Sequence, residues 1–102
     1  MKDTELFQAL TELAERLDIE IVHEKGDFTG GYCRVVEDRR IVLNKHNLLA
    51  TKLRVLARNL LLFDLSNVYL VPAIRKYLEE VAEEENITPM ITQESPKVEK
   101  DR

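Results

Sequence analysis

Cys33, His23 and His46 are the side chains in this 102-residue chain whose types suit nucleophilic or metal chemistry. Cys33 follows Gly30 and Gly31 and precedes Arg34. Free backbone amides and a guanidinium there could lower the thiol pKa and produce a nucleophilic thiolate. On a strand the same residue would be a small buried side chain, as free cysteine very often is. Two histidines without a His-x-x-x-His spacing and a single cysteine do not make a zinc or iron–sulfur pattern. No metal or cofactor is therefore assigned. Gly26, Gly30 and Gly31 lead towards a strand rather than into a Lys-Ser/Thr pair opening a helix, so they read as turn or bulge residues and not as a phosphate cradle. With no catalytic set to assign, the chain reads as non-enzymatic. A thiol-dependent or degenerate hydrolase at residues 30–34 is the enzymatic alternative.

Charge is segregated along the chain. Residues 1–24 carry a net −5, residues 25–58 a net +5 and residues 59–102 a net −4. The basic centre contains Arg34, Arg39, Arg40, Arg54 and Arg58, a candidate anion-binding set, together with Lys45 and Lys52. Such a centre can meet an anionic partner or the acidic arms on either side of it. An overall charge of −4 favours complementarity within the chain or between subunits over nucleic acid, which remains an alternative through a basic hairpin with Phe28 and Tyr32 for stacking.

The elements that would position these residues follow from periodicity. Leu6, Phe7, Leu10, Leu13, Ala14 and Leu17 recur on one helical face, which predicts a helix over 3–17 capped by Asp3 or Thr4. Residues 19–24 alternate and are rich in β-branched side chains, as a strand requires. Residues 32–36 and 40–43 read as a hairpin turning at Asp38-Arg39, with Glu37 opposite Arg40, Val36 opposite Ile41 and Val35 opposite Val42. Asp-Arg is poor chemistry for a tight mirror-image turn, so a longer loop with shifted register is the alternative.

A helix over 47–65, capped by Asn47, is apolar nearly all round. Leu49, Leu53, Leu56, Leu60 and Phe63 form one stripe, and Leu48, Val55 and Leu62 a second. Two apolar faces require cover on both sides, so the second stripe is a candidate interface. Pro72 opens a third helix to Glu85, with Ile74, Tyr77, Leu78, Val81 and Ala82 on its inner face. Glu83, Glu84 and Glu85 crowd its negative end, which predicts fraying.

The order α-β-β-β-α-α predicts an α+β domain over residues 1–85, with a small, mostly antiparallel three-stranded sheet and helices packed on one face. Residues 86–102 form a tail, flexible or held by a partner, with Ile87, Met90 and Ile91 as an apolar hook. No membrane span is expected, since the helix over 47–65 is only nearly long enough and Lys52, Arg54 and Arg58 interrupt it near its middle. The N-terminus lacks the apolar core of a signal peptide, so the expected setting is the cytoplasm.

Helix, three strands and a helix after a hairpin resemble the minimal zinc-metallopeptidase domains of the phage-repressor-cleaving type, whose helix carries a motif near Leu-Ala-His-Glu-x-x-His. Leu56-Ala57-Arg58-Asn59-Leu60-Leu61-Leu62 can be laid on that frame. Arg58 then stands at the first ligand position, Asn59 at the general base and Leu62 at the second ligand. The resemblance implies a scaffold without metal chemistry, and it carries no functional residue over. The expected role is a protein-interaction or self-associating domain, most simply a homodimer, built on the helix over 47–65.

Overall fold

The computed structural model describes residues 1–25 and 39–91. It contains α1 (Asp3–Arg16), β1 (Glu20–Glu24), β2 (Arg40–Asn44), α2 (Leu49–Leu60) and α3 (Pro72–Glu85). Helix α1 follows its periodicity, burying Leu6, Leu10, Leu13 and Ala14. It starts at Asp3 as expected, but the cap is not Asp3 or Thr4. Lys2 is the cap, and its N–H donates to the Glu5 carboxylate at 2.9 Å. Asp18 then takes a left-handed conformation (φ 60°), with Ile19 N–H donating to the Ala14 carbonyl at 2.8 Å and Asp18 N–H to that of Glu15 at 3.0 Å. This paired closure satisfies the orphan carbonyls of the last turn and drops Ile19 into the core.

The sheet differs from the expected one. Among the described residues it has two strands, and β1 pairs with β2 in parallel, Glu20 opposite Arg40, Ile21 opposite Ile41 and Val22 opposite Val42. The three-stranded, mostly antiparallel sheet and the α-β-β-β-α-α order are therefore corrected to three helices and a two-stranded parallel sheet. Residues 32–36, the other half of the expected hairpin, lie outside the described residues. Arg39 stands at the start of this pair, left-handed at φ 53°, and its carbonyl accepts the Glu20 N–H at 2.8 Å. Its guanidinium donates back to the Leu17 carbonyl, tying the start of β2 to the end of α1. In this register Ile21 and Ile41 share the core-facing side with Leu43, and Ile41 and Leu43 are buried.

Helix α2 is also corrected. It has 12 residues rather than the expected 19, and Leu48 rather than Asn47 stands at its cap, with no side-chain capping bond. Asn47 instead donates its N–H to the Asn44 carbonyl at 3.1 Å, within a turn in which His46 N–H reaches the Asn44 Oδ1 at 3.0 Å. At the other end, Leu62 N–H donates to Asn59 and Phe63 N–H to Leu60, three-residue bonds that tighten the helix to a stop. Asp64 then accepts from both the N–H and the hydroxyl of Ser66, at 2.9 and 2.6 Å, giving the backbone an alternative to further helix. Leu61, Phe63 and Leu65 remain buried although they are not helical. Their apolarity belongs to a buried irregular segment.

Helix α3 begins with Pro72 in its first turn behind an extended Val71. It is helical as far as Glu85. Asn86 is left-handed at φ 59°, Ile87 N–H donates to the Ala82 carbonyl at 2.8 Å, and residues 87–91 turn back over the chain. Ile87 and Ile91 pack against the core, and the Met90 carbonyl accepts the Leu65 N–H at 2.8 Å.

Candidate interaction surface

The three residues of the expected second stripe part company. Val55 is 2% exposed and belongs to the chain's own core. Leu48, 78% exposed, and Leu62, 45% exposed, stand beyond opposite ends of α2. Val55, midway between them, is buried, so the three do not form one continuous exposed face. Only Leu62 is displaced by the shorter helix, since it lies past the C-terminal end of α2.

Large apolar side chains are exposed elsewhere, in the connection between α2 and α3. Tyr69 (69%) and Val71 (47%) join Leu62 there, and Val68 and Leu70 pack partly against the core. Met90, also exposed, reaches this connection through its backbone bond to Leu65. The alternation of Val68 and Leu70 inward with Tyr69 and Val71 outward is legible in the sequence as a short period-two run. It was missed because a four-residue run between two helices reads simply as a linker.

The candidate anion-binding arginines are drawn into partnerships within the chain. Arg39 donates to the Leu17 carbonyl, and its guanidinium carbon lies 5.5 Å from the centre of the Phe63 ring. Arg40 faces Glu20 at 3.4 Å across the parallel pair. Arg54 reaches Glu84 at 2.8 Å and Glu85 at 3.1 Å, and Arg58 lies 4.0 Å from Glu85. The basic centre thus meets the acidic end of α3, which also relieves the carboxylates gathered at the negative pole of that helix. Arg34 and Cys33 lie outside the described residues, as does the glycine-bearing segment before them.

Of the positions that the metallopeptidase resemblance singles out, Arg58 faces Glu85, and Asn59, buried, turns its amide back to the Val55 carbonyl at 2.9 Å. Leu62 lies past the end of α2. Among the described residues no group of three or more His, Cys, Asp and Glu side chains gathers as a metal site. His23 on β1 and His46 after β2 are both exposed.

A shallow open depression of about 380 Å³ lies between the start of α1 and α3, lined by Met1, Leu6, Ala73, Lys76, Tyr77 and Glu80. Burial pushes the Tyr77 phenol above the ordinary tyrosine value, against the attraction of Arg54. At the end of α2, the hydroxyl and N–H of Ser66 hold the Asp64 carboxyl below the ordinary aspartate value. The Asp64–Ser66 bond lies within one exposed turn, and these two shifts do not by themselves assemble a catalytic pair.

No helix among the described residues is long and apolar enough to cross a membrane. No protein-family model matches the chain, and neither the curated proteins nor the solved structures yield a match.

Proposed function

We propose that this chain is a non-catalytic, cytoplasmic self-association domain whose contact is the connection between α2 and α3. The observation that carries this reading is the outward exposure of Leu62, Tyr69 and Val71 on a segment whose alternate residues are anchored in the core. Anchoring matters energetically. A contact surface that is already ordered loses less conformational entropy on binding than a mobile loop does. Aromatic and aliphatic side chains held in this way are the usual centre of a protein contact, and a second copy presents the same apolar strip. The engagement of Arg39, Arg40, Arg54 and Arg58 within the chain supports a protein partner over a polyanion, because each guanidinium would have to give up an existing partner first.

Light scattering over a concentration series tests the proposal. The expected result is a mass that rises to twice the chain mass in the micromolar range, and Leu62→Glu with Tyr69→Ser returns it to one chain mass without changing the circular dichroism. A wild-type chain that keeps one chain mass at the highest soluble concentration overturns self-association. A dimer that survives both substitutions overturns this surface.

A further inference from the structure

We infer that residues 87–91 are a releasable strap, latched by Arg54 and Arg58 through Glu84 and Glu85, which opens together with the last turn of α3 and bares the Leu65 amide. The inference concerns one chain and does not depend on self-association.

Three observations carry it. First, the last turn of α3 is held from outside its own helix. Glu83, Glu84 and Glu85 sit where the helix dipole is negative, and Arg54 bridges two of them, to Glu84 at 2.8 Å and Glu85 at 3.1 Å. Arg58, one turn along α2, adds a longer contact to Glu85 at 4.0 Å. All four side chains keep partial access to water, from 27% for Glu85 to 61% for Glu84. Ion pairs of this kind contribute little each and weaken with salt.

Second, the strap begins directly at that turn. The left-handed Asn86 reverses the chain, and Ile87 N–H returns to the Ala82 carbonyl at 2.8 Å. Anything that loosens Glu84 and Glu85 therefore loosens the closure that aims the strap.

Third, the strap's own hold is slight. Among the described residues one backbone bond, Leu65 N–H to the Met90 carbonyl at 2.8 Å, joins it to the connection after α2. Ile87 and Ile91 are only partly buried, and Thr88 and Met90 are exposed. The Leu65 side chain, by contrast, is fully buried, as are Leu56 and Leu60. A segment that is only partly buried and, among the described residues, is held by these two backbone bonds opens at lower free energy than the core beneath it.

Amide hydrogen exchange on the full-length chain, followed by nuclear magnetic resonance, tests the strap and the latch separately. The Leu65 amide is the reporter for the strap, Ile87 reports the helix closure, and Leu60 reports the core. Leu65 and Ile87 are expected to exchange at least about tenfold faster than Leu60 after correction for intrinsic rates. Arg54→Gln is expected to raise the Leu65-to-Leu60 rate ratio about two- to fivefold. Salt at roughly 1 M, where screening acts over about 3 Å, moves the ratio in the same direction in the wild type. Using the ratio keeps the readout valid if the substitution also lowers global stability. Equal corrected rates at Leu65 and Leu60 overturn the strap. A ratio that ignores both Arg54→Gln and salt overturns the latch.

Discussion

The guanidinium carbon of Arg39 lies 5.5 Å from the centre of the Phe63 ring, while the same guanidinium donates to the Leu17 carbonyl. One side chain thus joins the end of α1, the start of β2 and the segment after α2. The cation over the ring and the donor at the helix C-terminus are both favourable electrostatically. Together with the Arg39 carbonyl, which accepts from Glu20, they set β2 beside β1.

A double-mutant cycle with Arg39→Gln and Phe63→Leu measures that relationship. Denaturant unfolding is expected to give a coupling of about 0.5–1 kcal/mol, the range for a cation over an aromatic ring at an exposed site. Additive single effects would show that the ring and the guanidinium act independently.

Left-handed backbone at Asp18 and Asn86 invites glycine. Both residues tolerate φ near 60° better than most, but glycine bears no steric penalty there. Asp18→Gly and Asn86→Gly are each expected to leave stability unchanged or raise it by up to about 1 kcal/mol in chemical denaturation. At Arg39, also left-handed, glycine removes the clamp as well as the strain. Arg39→Gly is therefore expected to fall below both in stability.

Leu48 and Val55, two members of the expected stripe, should respond oppositely to charge. Leu48→Asp places a carboxylate at the exposed cap of α2, beside free helix amides, and is expected to be neutral or mildly stabilising. Val55→Asp buries an unpaired charge in the core and is expected to cost more than about 3 kcal/mol or abolish folding. Thermal unfolding of the two variants side by side checks the contrast.

Tyr77 makes stability sensitive to alkali. Its phenol titrates above the ordinary value of 10.0 because burial disfavours the phenolate, so the neutral form is favoured in the folded chain. The corresponding stabilisation is complete below the unfolded value and is lost as pH rises through the folded one. Tyr77→Phe is expected to flatten the fall in melting temperature above pH 10 and to remove one late component from the ultraviolet phenol titration. An unchanged alkaline slope would place the sensitivity elsewhere in the chain.

What the sequence by itself determined is local. The spacing of Leu6, Leu10 and Leu13 marks the buried face of α1, and Pro72 followed by Ile74, Leu78 and Val81 marks that of α3. Each signal is carried by residues within a turn or two of one another, where helical period alone chooses the face. The end of α2 was less legible. Leu61, Phe63 and Leu65 are apolar because they are buried, and burial in an irregular segment selects the same residue types as burial in a helix.

Only the tertiary structure decided the partners. Arg40 faces Glu20, twenty residues away, and Arg54 meets Glu84 and Glu85 about thirty residues away. Beside the parallel pair, Arg39 likewise reaches Leu17, a contact that no period in the chain announces. The interaction surface follows the same rule. Leu48, Val55 and Leu62 are alike as apolar residues, and packing of the middle of α2 into the core separates the buried one from the two that meet water beyond its ends. Periodicity records which residues leave water, whereas the identity of what covers them is set by contacts between elements distant in sequence.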